Sequence, residues 1–412
     1  MSHMLHCCLL VLLLPASAAA EEWPAWRGPR GDGTSSERNL PVRWSATENV
    51  AWKTPIPGIG HSSPIVWGEH IFVTTCLLQE QQRLLLALDR RSGQVLWQRV
   101  VVTAPLERKH RLNSFASATP ATDGKYVYVT FLQYPELQVA CYDYDGNLVW
   151  KRSPGKFFSM HGFCSSPILY KDMVIVNGDQ DAQAYLVALD KHTGSERWRT
   201  DRPNRTRSYC APIIVEAAGK NQLVLSGSKC VASYDPDTGK QHWLIDGPTE
   251  QYVASLVYTE GVLFLTCGYP DFHNMGIRPD GSGNVTQTHV LWHEKKVPAR
   301  KASYVPSPIA VGPHFFMISD LGYVRCFEAK TGKSLWMEKL GQHHSASPVA
   351  ADGLLYLPAD DGTTYVLKAG SVFEVVSRNE LGEECYGSPA ISRGQIFLRT
   401  LHHLYCIGTP RR

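Results

Sequence analysis

One unit, AYLVALDKHTGSERW from Ala184 to Trp198, returns with small edits along most of the 412-residue chain. An apolar run ends in Asp, a Thr-Gly turn reverses the chain, and a second short segment closes on Trp. The same pattern appears as LLALDRRSGQVLW to Trp97, VACYDYDGNLVW to Trp150, VASYDPDTGKQHW to Trp243 and VRCFEAKTGKSLW to Trp336. Trp292 closes a unit whose turn is replaced by the longer insertion Gly276 to Asn284. A period in the forties to low fifties is that of a propeller blade of four short strands, so domain organisation follows from the repeats rather than from length.

A second element precedes each unit: a Ser-Pro-like lead-in followed by two alternating strands. These begin at Ser62, Ala118, Ser165, Ala211, Ala254, Pro306, Ala346 and Gly387. Eight lead-ins predict eight blades, an all-β protein. After the eighth, the chain supplies one more strand, His403 to Ile407, and stops. The missing outer strand is found at the other end, around Trp52, so the N-terminus is expected to complete the last blade and remove the free sheet edges. Blade seven lacks the Trp, and Val375 or Val376 is expected in its place.

The N-terminus carries an apolar run from Leu5 to Leu14 and then Ala18-Ala19-Ala20, the pattern of a signal peptide over 1–20. An exported protein, periplasmic or extracellular, is expected. Ten apolar residues are too few to span a bilayer, and no later run approaches that length, so no transmembrane segment is expected after cleavage. Residues 21–48 form a Gly/Pro-rich arm whose Trp23 and Trp26 are expected to dock it on the body. The propeller then covers 49–408 and a tail 409–412. Cys141, Cys326 and Cys406 stand where other units have Ala87 and Ala188, which marks them as small core residues. No pair outside the signal shows CxxC spacing, so no metal centre is expected.

The units resemble the pyrroloquinoline-quinone-like (PQQ-like) repeat, on an Ala-x-Asp, a Thr-Gly turn and a Trp repeated over Asn49 to Gly408. The arm, Trp-Pro-x-x-Arg-Gly-Pro from Trp23 to Pro29, resembles that of secreted bacterial members. The resemblance implies an eight-bladed β-propeller locked by Trp52, Trp97, Trp150, Trp198, Trp243, Trp292 and Trp336. It does not imply one activity, because quinoprotein dehydrogenases and the outer-membrane assembly scaffold share the fold. A dehydrogenase of this kind would need a vicinal disulfide over the quinone and a Glu, Asn and Asp cluster for calcium. The sequence outside the signal has no adjacent Cys pair. Asp179-Gln180-Asp181 and Asp280 to Asn284 read as turns, the second lacking a Glu at the twelfth position. No cofactor is therefore expected, and PQQ with calcium lacks a motif.

If the lead-in strand is innermost, as the resemblance implies, each crossing from an outer Trp strand runs over one face to the central channel. The residues before the lead-ins then gather at one mouth as a candidate ligand site. They are His61, Phe115, His161, Arg207 and Tyr209, followed by Tyr252, Tyr304, His343, His344 and Tyr386. Aromatic, His and Arg side chains suit a polar ligand with flat faces. Four of the crossings hold 15 Lys and Arg against 3 Asp and Glu, while the net charge of the chain is only +3. A basic face is expected from Arg108, Lys109, Arg111, Arg202 and Arg205, and from Lys295, Lys296, Arg300 and Lys301. It would favour an acidic glycan or protein partner. Export and the lack of a nucleic-acid module argue against nucleic acid. No HExxH, GxSxG or other nucleophile–base pair stands out. The expected function is a binding or assembly scaffold, with a quinoprotein oxidoreductase of alcohols or sugars and a polysaccharide-binding module as alternatives.

Overall fold

The computed structural model describes residues 21–409, so the expected signal peptide and the end of the tail lie outside the described residues. Eight antiparallel sheets, each with four core strands, follow one another as the blades of a β-propeller. In blade 3 the strands are Ile168–Tyr170, Met173–Gly178, Tyr185–Asp190 and Glu196–Asp201, from the axis outward. All six residues of Tyr185–Asp190 are buried. A middle strand packs against both neighbouring blades, so a continuous apolar run replaces the usual alternation. In the outermost strand only Trp198 is buried.

The recurring Trp has a recurring geometry. Ala188 pairs with Trp198, the register then slips, and Leu189 pairs with Glu196. The same slip follows Trp97, Trp243 and Trp336 in their blades. Such a bulge turns a strand and re-aims its side chains. Here it sends each indole toward the next blade, whose turn carbonyl accepts its N–H. Trp52 donates to Arg90 O at 2.9 Å, Trp97 to Tyr144 O at 2.7 Å, and Trp150 to Lys191 O at 2.9 Å. Trp198, Trp243, Trp292 and Trp336 donate to Pro236, Pro279, Ala329 and Gly370. The turn Gly is required twice over. At Gly93, Gly194, Gly239 and Gly332 φ is +69° to +72°, and a Cβ would lie 2.3–2.6 Å from the clamping indole.

The ring closes as expected: Val50–Pro55 is the outer strand of blade 8, pairing with His403–Ile407 with Trp52 opposite Cys406. Blade 7 departs from expectation. Val366 pairs with Ser377 and, after the slip, Leu367 with Val375, so Ser377 holds the Trp register and not Val375 or Val376. The missing ring comes from the arm instead. Trp44 is buried and stacks on Tyr356 at 6.4 Å, where Trp52, Trp97 and Trp336 contact Phe397, Phe72 and Phe316 of their own blades at 5.9–6.1 Å. Its indole N–H finds no acceptor among the described residues, so it restores the packing without the clamp.

The arm also crosses the channel. Trp23, fully buried, bridges to Val66 in blade 1, and Pro24 O accepts the Thr122 N–H of blade 2. Arg27 reaches the Ser307 and Pro308 carbonyls of blade 6. Thr34–Ser35 then pairs in parallel with Val349–Ala351 of blade 7. All nine described cysteines are free thiols, and eight are buried. Cys141, Cys326 and Cys406 pack in the core as expected, and burial pushes each thiol up to about 12.

Candidate functional site

Around the axis, the eight lead-ins form a girdle of hydrogen bonds from blade to blade. The Ser347 N–H donates to Ser388 Oγ, Ser388 N–H to Ser63 Oγ, Ser63 N–H to Thr119 Oγ1 and Thr119 N–H to Ser166 Oγ, each at 2.9 Å. Ser307 N–H donates to Ser347 Oγ and Ser255 N–H to Ser307 Oγ, also at 2.9 Å. The series breaks in blade 4, where Ala211 has no hydroxyl and its carbonyl accepts the Ser255 Oγ–H. Where the lead-in has a Pro, that Pro fixes the backbone and cannot donate, so the residue before it carries the link between blades, whereas in blade 5 Ser255 carries it before Leu256.

Above the girdle lies a cavity of about 490 Å³. Residues of the crossing loops and Trp26 of the arm line it. Of the residues expected at the mouth, His61, His161, Arg207, Tyr209, Tyr304 and Tyr386 line it. His61 stacks on Tyr386 at 4.4 Å; burial, aided by nearby Arg399 and Lys109, pushes its pKa down to about 4, so the ring is neutral. His161 Nδ1 lies 3.0 Å from the Tyr209 hydroxyl, which also meets Ser159 Oγ at 2.8 Å. Burial and then Arg207 lower the His161 pKa. Arg207 itself is held by Asp181 at 2.8 Å.

The other four are placed elsewhere, among the described residues that do not line the cavity. Tyr252 is fully buried, its hydroxyl donating to Gly247 O at 2.6 Å. His344 is also fully buried, between the Pro358 and Leu340 carbonyls. His343 pairs with Asp360 at 2.6 Å, which raises its pKa. Phe115 packs under Lys109 at 5.3 Å. Sequence reasoning missed His110 and Asn113, which lie midway along a crossing loop, and Asp320, which follows the second strand of blade 6. It also missed the girdle hydroxyls, although the Ser-Pro lead-ins were their visible signal.

The basic face is only partly what the charge count implied. Arg108, Arg111, Arg205, Lys295 and Arg300 are exposed, and Lys109 and Lys301 are half-buried. Lys296 is exposed and pairs with Asp271 at 3.0 Å. Arg202 is not on this face. It is buried, with Nε 2.9 Å from Asp179 Oδ1 and Nη2 2.9 Å from Gly227 O, because burial of one charge demands its partner.

The donor set does not fit a calcium-held quinone. Among the described residues Asp320 is the only carboxylate lining the cavity, and its oxygens accept the Tyr304 and Val305 N–H groups at 2.8 and 3.2 Å. Burial raises its pKa, which disfavours the charge a calcium ligand must carry. Among the described residues no three His, Cys, Asp or Glu side chains gather as metal ligands. No helix among them is long and apolar enough to cross a membrane.

No curated protein sequence matches the chain. Solved structures share its fold at low identity. They include a europium-containing methanol dehydrogenase (12% identity, TM-score 0.66, covering 94% of this chain and 98% of that one). The quinohemoprotein alcohol dehydrogenase of Comamonas testosteroni is similar at 12% identity and TM-score 0.67, covering 95% and 81%. BamB from Moraxella catarrhalis matches at 12% identity and TM-score 0.58, over 88% of this chain and 99% of that one. A PQQ-like family model, described as outer membrane protein assembly factor BamB, matches residues 34–131, 80–256, 285–375 and 320–405. With repeats, blades and family model in agreement over most of its length, the chain belongs to the PQQ-like β-propeller family.

Proposed function

We propose that this protein is an exported binding scaffold that engages its ligand or partner at the axial face, through the cavity. The observation that carries this reading is the cavity itself: about 490 Å³, lined by Trp26 of the arm and by residues of the crossing loops. Its volume suits a small ligand or one side chain of a partner. Its lining offers His61 on Tyr386, the His161–Tyr209 pair and Tyr304, surfaces that bind rather than a nucleophile with its base. Exposed Met160 and Tyr269 at the rim extend an apolar contact area to anything seated there. Exposed Arg108, Arg111 and Arg205 on the crossing loops favour an acidic protein or glycan.

The test is a thermal-shift screen of the mature chain against metabolites, glycans and PQQ with calcium, repeated on Ala211→Trp, which fills the cavity from blade 4. Hits that Ala211→Trp abolishes support the reading. Hits that persist, or no hits at all, overturn it. A visible-absorbance shift and dye reduction with alcohols after PQQ addition would replace it with the oxidoreductase reading.

A further inference from the structure

The girdle's hydrogen-bond bookkeeping leaves something over. Each of Ser63, Thr119, Ser166, Ser347 and Ser388 accepts a neighbour's N–H with its oxygen, and each lines the cavity. Among the described residues none of these five hydroxyls donates to a protein acceptor. A hydroxyl carries one donor as well as its acceptor sites, so five O–H groups remain for whatever occupies the cavity. They belong to consecutive blades, 7, 8, 1, 2 and 3, and therefore form one arc.

The opposite wall is different in kind. Ser255 of blade 5 spends its proton on Ala211 O at 2.8 Å. Blades 4 to 6 instead present Tyr209, Ala211, Val253, Tyr304 and Val305 to the cavity. One wall donates hydrogen bonds, and the other is mostly apolar and aromatic, its polar groups being Gln251, Arg207 held by Asp181, and Asp320, whose carboxyl is turned onto the Tyr304 and Val305 N–H groups.

Charge sharpens the contrast. Arg399 is buried behind the arc, its Nη1 donating to the Thr74 carbonyl and to Ser62 Oγ at 3.0 Å, while its Nε and Nη2 have no acceptor among the described residues. Arg27, equally buried, reaches only carbonyls. Among the described residues neither has a carboxylate in ion-pair range. Arg399 behind the arc adds positive charge to the row of free donors, and an anion seated on that row would balance it.

We propose that the cavity selects ligands bearing an oxyanion, a carboxylate or a phosphate, on an apolar or aromatic body, with the oxyanion on the hydroxyl arc and the body against Tyr209 and Tyr304. This rests on the cavity being the binding site and adds the chemical class of its ligand. The probes are phenyl phosphate and benzoate, each against a neutral partner, phenol and benzamide, measured by isothermal titration calorimetry on the wild-type chain. Both anions should bind more tightly than their neutral partners by tenfold or more, about one charge-assisted hydrogen bond. Thr119→Val and Ser166→Ala should each lose about tenfold in anion affinity. Ser307→Ala breaks the same kind of girdle bond, to Ser255 N–H, yet Ser307 does not line the cavity, so its affinity should stay at wild type.

Equal binding of anion and neutral partner, abolished by Ala211→Trp, overturns the oxyanion selectivity while leaving the cavity reading intact. Anion binding that survives Ala211→Trp overturns both. No binding of any probe overturns the proposal, and the wild-type comparison stands even if a girdle variant fails to fold. Equal losses in Thr119→Val and Ser307→Ala would show a structural girdle only, and would also overturn it.

Discussion

The outer ring of Trp clamps and the inner girdle of hydroxyls solve the same problem with different remainders. Both link most blades to the next by a hydrogen bond, the outer ring missing its link at blade 7 and the inner ring at blade 4. An indole has a single N–H and spends it on the turn carbonyl, so the outer link is complete and chemically silent. A hydroxyl that accepts a link still has a proton to give. The outer ring therefore only holds, whereas the inner ring holds and also faces the cavity with donors. In a propeller, the place to look for function is the link with something left over.

The comparison can be broken most severely at the outer ring. Trp243 is fully buried, with its N–H shared between Gln222 Oε1 at 2.9 Å and Pro279 O. Trp243→Ala should cost about 3–5 kcal/mol in urea unfolding while leaving ligand binding per folded molecule unchanged. A loss below about 1 kcal/mol would show that the clamp does not carry the fold.

At the inner ring the next effect is one of pH. The His61 pKa is lowered to about 4 by burial first and then by Arg399 and Lys109, so the unfolded chain, with His near its ordinary value, binds more protons. The stability from neutral His61 is complete above about pH 6.5, falls as pH drops, and is gone below about pH 4, a difference of about 3 kcal/mol. Unfolding at pH 7.5 and 4.5 should show wild type losing about 2 kcal/mol more than His61→Gln. Parallel losses would place the titration elsewhere.

A smaller effect belongs to the turns. Asp190 Oδ1 accepts the His192 and Thr193 N–H groups at 3.0 and 2.8 Å, and Oδ2 meets Arg197. Asp190→Ala should cost about 1–2 kcal/mol, read as a lower melting temperature, without any change at the cavity. Smallest is the repair of the gap: Ala211→Ser offers the missing acceptor in blade 4 and should add about 0.5–1 kcal/mol. It should also weaken binding of aromatic ligands by wetting the apolar wall. Unchanged stability would mean that the gap is not a missing link.

Most of the fold was legible because blade packing repeats: Asp, Gly and Trp recur wherever a turn meets a clamp. Closure at Trp52 followed from counting strands. Trp44 was not legible, since its stack on Tyr356 joins residues about three hundred positions apart and no period announces it. The same reasoning divides the site. His61, His161, Arg207, Tyr209, Tyr304 and Tyr386 reach the cavity because they stand just before the lead-ins. His343 and His344 also precede one, but Asp360 draws one ring aside and two carbonyls bury the other. Asp320 and His110 reach the cavity from positions that only the folded loops define. Arg202 was misassigned because charge counting cannot see a buried partner.

The arm has a consequence for the order of assembly. Trp23 and Pro24 meet blades 1 and 2, but Arg27, Thr34, Trp44 and Trp52 find their partners in blades 6, 7 and 8. A ribosome makes each of these segments well before its partner. The ring acquires its seam only when His403–Ile407 has emerged, so a chain released short of that strand has a stack of blades but no closed vessel.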